Sequence, residues 1–377
     1  MKIKRLVCFL FVTVLLASMV SISAEATLEA CSFDDSNGVN DVIDSINENF
    51  QANEFGGIYY DGDTLIINIV ESENFLRRNM LMKEISSTVD VEYRMVKYSI
   101  QELEETKEFL TPVMNDFNIS VLDANEITNQ VDVFLKEYNE ETIRNIEAYT
   151  ASNCYNIEYL NFIDDGEETI VSTVAYEKPL STFNIENIMP AEEKNSARTR
   201  YFSGAQIRIG NGYYTLGPAL SSSKAYSAGH GFQGSASVYD SSGMLIGSAR
   251  SYYGGASGDW SSVSIYSADY YPVVGRGDPI AGNRVYMLGA TSGETSGSIT
   301  KTNISISANA PYAPLTGMCA GNYRCDMGDS GGGIFSRSIV DLVNSSSGVT
   351  YGIQSAGRFS GGVWAGESYF TPISKVN

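Results

Sequence analysis

The chain contains one histidine in 377 residues, His230, so a zinc site built on paired imidazoles is not expected. Cysteine is also scarce. Cys8, Cys31, Cys154, Cys319 and Cys325 include no C-x-x-C pair, which argues against thiolate zinc sites as well. No cofactor and no metal requirement is therefore expected. Basic residues are outnumbered, 25 Lys and Arg against 45 Asp and Glu, so the cationic footprint of a nucleic-acid binder is missing. Long apolar runs are missing too: the run from Leu6 to Val20 falls short of the roughly 20 residues that span a bilayer.

That short run has a different meaning in context. Lys2, Lys4 and Arg5 precede it and Ala24-Glu25-Ala26 follows, the pattern of a secretory signal peptide over residues 1–26. A secreted, extracellular product with no membrane contact after signal removal is expected. Of the cysteines left, Cys319 and Cys325 lie close enough in sequence to close a small disulfide loop, while Cys31 and Cys154 belong to the N-terminal half.

The charge divides the chain. Residues 1–199 hold 14 Lys/Arg and 36 Asp/Glu, a net of −22, whereas 200–377 hold 11 and 9, a net of +2, and the two sum to the whole chain's −20. Such asymmetry points to two units with different jobs. Residues 27–199 read as mixed α and β. Ser99-Ile100-Gln101-Glu102 is a capping box ahead of Leu103, Phe109 and Leu110, Val131, Val133 and Leu135 alternate as in a strand, and Asn139 opens a second helix. The polar stretch PAEEKNSARTR from Pro190 reads as an exposed linker, with a cut expected between about Glu193 and Tyr201. Beyond Tyr201, Gly, Ser and Tyr dominate, and short runs such as Ala205–Ile209, Val263–Tyr266, Asn283–Leu288 and Ser298–Ile306 alternate with turns. That is the text of an all-β barrel or sandwich.

The sharpest motif is Gly328-Asp329-Ser330-Gly331-Gly332. It also satisfies G-x-S-x-G, but the nucleophile elbow of α/β-hydrolases needs its histidine after the serine, and His230 comes before. A serine hydroxyl is a poor nucleophile until a base takes its proton, and the base needs a third group to hold its tautomer. His230, in Ser227-Ala228-Gly229-His230, is the one imidazole that could act as base. The orienting carboxylate is sought among Asp240, Asp259, Asp269, Asp278, Glu294, Asp326 and Asp329. Asp259 is preferred because it opens the alternating strand DWSSVSI.

In these motifs the sequence resembles the chymotrypsin-like (trypsin-fold) serine peptidases, specifically the bacterial α-lytic protease/streptogrisin branch. SAGH is similar to that family's T-A-G-H, GDSGG to its nucleophile motif, and DWSSV to its Asp-containing strand. GATSGETSGSIT (289–300) resembles its S-G-x-T-T-G strand, and GIQSAG with SYFTPI (368–373) resembles its substrate-binding and closing strands. The resemblance covers residues 201–377. It implies two six-stranded antiparallel β-barrels preceded by an α+β pro-region over 27–199, which aids folding and inhibits the product. It implies a serine endopeptidase made as a zymogen and acting on protein or peptide substrates.

It further implies that His230, Asp259 and Ser330 are catalytic, that the N–H groups of Gly328 and Ser330 form the oxyanion hole, and that Ser355, Ala356 and Gly357 bind substrate as an added strand. The sequence departs from the family where Gly231 replaces a cysteine after the histidine. It departs again at Met287 and Leu288, where an arginine would pair with the Asp of GDSGG; Arg276, Arg284 or a new N-terminus are left as partners for Asp329. A catalytically inactive binding module and an esterase using the same three residues are the alternative readings.

Overall fold

A computed structural model describes residues 42, 43, 46, 50–71, 90–166, 168–179, 200–266, 269–307, 314–345 and 348–376, all within the compact unit Asp35–Asn377. The signal segment, Cys31 and residues 190–199 of the expected linker fall outside the described residues.

In the N-terminal half the local signals act where they stand. Strands β1 (Phe55–Asp61), β2 (Thr64–Val70) and β3 (Val91–Val96) form a three-stranded sheet. Helix α1 (Ile100–Leu110) starts at Ser99, whose hydroxyl accepts from Glu102 N–H while the Glu102 carboxylate accepts from Ser99 N–H; such a cap contributes about 1 kcal/mol. The hairpin β4 (Ile119–Asn125) and β5 (Gln130–Leu135) is followed by α2 (Glu140–Ser152), capped by Asn139, then by β6 (Leu160–Asp164) and β7 (Thr169–Ser172). Leu103, Leu110, Leu122, Val131, Val133 and Ile146 pack the helices onto the hairpin.

After residue 200 strands dominate: β8 (Arg200–Phe202), β9 (Gln206–Ile209), β10 (Gly212–Thr215), β11 (Ala219–Ser221), β12 (Lys224–Ser227), β13 (Ser235–Asp240), β14 (Leu245–Tyr253), β15 (Asp259–Ile265), β16 (Asp269–Tyr271) and β17 (Gly275–Arg276). They continue with β18 (Arg284–Gly289), β19 (Gly293–Ile306), β20 (Leu315–Gly321), β21 (Gly333–Phe335), helix α3 (Ile339–Ser345), β22 (Val349–Ser360) and β23 (Val363–Pro372). One sheet runs β10-β9-β13-β14-β15-β12-β11 around a core of Ile207, Tyr214, Val238 and Val263. A second runs β18-β21-β22-β23-β20-β19, and the extra β18–β19 pairing closes those six strands into a ring around Val285, Ile334 and Phe370.

The architecture is thus β-dominated, with mixed sheets, and differs from two separate six-stranded barrels. The first sheet has seven strands, and its end strands β10 and β11 meet through the chain at 216–218 rather than through a ladder. The second continues past its ring through β4, β5 and β6 to eleven strands, because β4 pairs with β19 at Leu122↔Ser305 and Val121↔Ile306. The acidic half is stitched to the β-rich half by backbone hydrogen bonds.

The expected Cys319–Cys325 disulfide is absent; both are free, buried thiols. Cys319 is held by its strand pairing opposite Phe370, while the Cys325 sulfur accepts a hydrogen bond from Ser368 Oγ at 3.1 Å. Burial pushes the Cys319 thiol up to about 12, and Cys325 is raised for the same reason, so neither readily forms the thiolate that disulfide exchange requires. Cys154 is exposed and also free.

Candidate active site

The two sheets bring His230, Asp259 and Ser330 together. His230 follows β12, Asp259 is the first residue of β15, and Ser330 lies in the turn between β20 and β21. Ser330 Oγ is 2.8 Å from His230 Nε2, and His230 Nδ1 is hydrogen-bonded to Asp259 Oδ2. Asp259 is fully buried, and its carboxylate also accepts from Gly229 N and His230 N, each at 2.8 Å, and from Ser355 Oγ. Burial alone would raise its pKa, but the charge and hydrogen bond of His230, together with the Ser355 and Gly229 donors, outweigh it and hold the carboxyl below its usual range. None of the other six carboxylates considered from the sequence hydrogen-bonds to the imidazole, whose ring nitrogens are taken by Asp259 and Ser330.

The surroundings fix the imidazole's backbone. Tyr214 OH donates to His230 O at 2.6 Å, and Ser251 Oγ donates to Gly229 O at 2.6 Å. Thr371 Oγ1 accepts from Asp259 N at 2.8 Å. Gly229 passes so close to the Trp260 backbone that a Cβ would overlap it, which explains the small residues ahead of His230.

The serine turn depends on glycine for a different reason. Gly328 and Gly331 have φ of 103° and 95°, a region that side chains disfavour, and a Cβ at either would strike Thr291 Oγ1 or Ser227 Oγ respectively. Thr215 anchors the turn: its Oγ1 donates to Gly328 O at 2.9 Å and its N–H donates to Ser330 O at 2.7 Å. With that geometry the N–H groups of Gly328 and Ser330 converge on one oxygen, the carbonyl of Thr173, at 2.6 and 3.3 Å.

Among the described residues Asp329 has no cation beside it. Arg276 donates instead to the Ile373 and Val376 carbonyls, and exposed Arg284 lies over the Tyr286 ring. The buried carboxylate accepts from Thr291 N (2.9 Å), Ser292 N (3.1 Å), Ser292 Oγ (2.5 Å) and Asp326 N (2.8 Å). Burial is the larger influence, and the Asp329 pKa is raised despite these donors. Ser355, Ala356 and Gly357 lie in β22, where β7 of the N-terminal half pairs with them as Ala356↔Ser172 and Gly357↔Val171. Thr173, Thr215 and Ser292 carry no motif. Among the described residues no group of three or more His, Cys, Asp or Glu is placed to hold a metal.

No family model matches the sequence, and no curated protein matches it. Solved structures overlap it in part. Thermobifida fusca protease A is 22% identical over 46% of this chain and 92% of its own, with a TM-score of 0.37. Cellulomonas bogoriensis chymotrypsin is 21% identical over 47% and 93%, with a TM-score of 0.36. Nocardiopsis protease is 20% identical over 46% and 93%, with a TM-score of 0.35. Likeness this distant leaves the chemistry to the site's own geometry.

Proposed function

We propose that the chain is a secreted serine endopeptidase of the chymotrypsin-like class, made as a precursor with a signal peptide at 1–26, a pro-region at 27–199 and a peptidase domain at 200–377. In this reading the two sheets after residue 200 correspond to the two barrels of that class. The observation that carries the proposal is the unbroken chain Ser330 Oγ–His230–Asp259 beside two N–H groups aimed at a single carbonyl oxygen.

Ser330 Oγ attacks the substrate carbonyl carbon as His230 Nε2 takes its proton. Asp259 keeps the other ring nitrogen protonated and offsets the imidazolium charge. The N–H groups of Gly328 and Ser330 stabilise the oxyanion, each worth about 3 kcal/mol in comparable sites. Nε2 then protonates the departing amine, and water, deprotonated in turn by His230, hydrolyses the acyl-enzyme. Residues 355–357 of β22 hold the substrate as an added strand, through backbone groups that any peptide offers.

A binding module of this fold and an esterase are the competing readings. The test is treatment of the purified exported product with a fluorophosphonate, followed by peptide mapping and digestion of an unfolded protein. The expected result is a single adduct on Ser330 with parallel loss of peptide cleavage, and no cleavage by Ser330→Ala. An unlabelled Ser330 with no proteolysis supports the binding module, and turnover confined to esters supports the esterase.

A further inference from the structure

Residues 169–175 run extended through the site. Strand β7 pairs antiparallel with β22 from Thr169↔Phe359 to Ser172↔Ala356, and one residue on, Thr173 N–H donates to Ser355 O at 3.2 Å. Thr173 is fully buried, its carbonyl accepts from Gly328 N and Ser330 N, and its Oγ1 lies 3.0 Å from Ser330 Oγ. On the far side Val174 packs into the core of the first sheet, and Ala175 and Tyr213 exchange two backbone hydrogen bonds of 3.2 and 2.7 Å. One peptide bond of the chain is therefore tethered on both sides, with its carbonyl oxygen between the two donors and its residue against the nucleophile.

Little room lies behind Gly357, two residues on from Ser355. Behind Gly357, a Cβ would lie 2.6 Å from Cys325 Sγ and 2.7 Å from the Phe359 ring, so those side chains already fill the gap between β22 and the 325–327 wall. Cys325 is bonded to Ser368 Oγ, and Tyr323 OH to Gln354 Oε1 at 2.7 Å; none of these groups offers a charge to a partner.

Resting on the serine-peptidase reading above, we propose that the chain cuts itself between Thr173 and Val174, and that the subsite for the residue preceding a cut admits only small, uncharged side chains. The Thr173 carbonyl carbon forms an ester with Ser330 Oγ. The Thr173–Val174 C–N bond breaks, and the hydroxyl proton passes through His230 to the Val174 nitrogen. One water then converts the ester to the Thr173 carboxylate and restores the serine. The cut falls sixteen residues before the polar linker at 190–200.

The full chain is expressed and its fragments are followed in time by intact mass, with casein digestion measured alongside. An N-terminal fragment ending at Thr173 is expected from the native chain, none from Ser330→Ala or Val174→Pro, and a cut slowed about tenfold or more in Thr173→Phe. The Thr173→Phe effect reports fit to the subsite, and near-ultraviolet circular dichroism verifies that each variant folds. Casein digestion by a product whose Thr173–Val174 bond stays intact overturns the inference while leaving the peptidase reading standing. Absence of both digestion and cut overturns both. The same cut in Ser330→Ala assigns it to another enzyme, and unchanged cutting of Thr173→Phe overturns the restriction to small side chains.

Discussion

Two buried carboxylates, Asp259 in the site and Asp123 where β4 meets the C-terminal sheet, differ in what faces them. Asp259 receives two backbone N–H groups, a serine hydroxyl and an imidazole, and its pKa is lowered. Asp123 is as deeply buried, but its Oδ1 has no hydrogen-bond partner among the described residues. Burial, then the neighbouring Glu126, push its pKa well up, against the pull of Lys301. Asp329 has four donors but no cation among the described residues, and it stays raised. Of the three, Asp259 combines several donors with the imidazole, and it is the one whose pKa is lowered. Burial dominates at Asp123, whereas the donors and the imidazole dominate at Asp259.

The strongest way to break that contrast is Asp259→Asn. An amide keeps the shape but cannot offset an imidazolium, and it lets the ring adopt the wrong tautomer, so kcat is expected to fall by about 10⁴ with little change in KM. Asp123→Asn, at a buried carboxyl outside the site whose pKa burial raises, is expected to leave kcat unchanged. Steady-state kinetics on one peptide substrate compares them. A loss below tenfold for Asp259→Asn would reduce that carboxylate to a packing role.

A smaller effect comes from Glu126, whose carboxyl accepts from Thr302 Oγ1 at 3.1 Å across the junction and is pushed up by burial to about 7, from an ordinary 4.5. A raised pKa means the joined state binds the proton more tightly. This group's contribution to docking is full below about 4.5 and is lost as pH rises through about 7. Asp123 and Glu104, also raised, act in the same direction, with Lys107 and Lys301 opposing them. Glu367, lowered against burial by Lys301 and Arg358, favours its charged form and acts in the opposite direction. After cleavage, release of the N-terminal fragment should increase with pH between 5 and 8, by no more than about tenfold per pH unit from Glu126. Glu126→Gln should flatten that slope in fluorescence-detected dissociation, and an unchanged slope would assign it to the other carboxylates.

What is legible in the sequence follows the range over which each feature is determined. The Ser99 capping box, the Asn139 cap and the alternation from Val131 to Leu135 act within a few residues, and the helices and strand stand where those patterns put them. The GDSGG glycines are legible because two positive φ angles leave no other residue type at ease. The segment at Thr173 is not: IVSTVAY reads as any β-prone run, and its place opposite β22 depends on a pairing nearly two hundred residues away. Nearness in sequence misleads for Cys319 and Cys325, because the β20 ladder and the Ser368 contact set their thiols separately. The charge asymmetry likewise suggests two separable halves, while the β4–β19 ladder joins them through backbone groups that leave no mark in composition.

The partners of Asp329 are invisible to motif reading for the same reason, since three of its four donors are backbone N–H groups. Only Ser292 Oγ, at 2.5 Å, can be removed by substitution. Ser292→Ala leaves three donors on a buried carboxylate whose pKa burial already raises, and that pKa should rise further. The lost hydrogen bond is to a charged group, so the expected cost is about 1.5–3 kcal/mol where the carboxylate is ionised. The sign follows from the charge. At high pH the variant must hold the anion with one donor fewer, while at low pH both chains carry a proton there and the penalty shrinks. Denaturation midpoints of the native and variant chains should therefore converge as pH falls from 8 towards 4. A gap that stays constant with pH would mean that Ser292 works through packing rather than through the charge of Asp329.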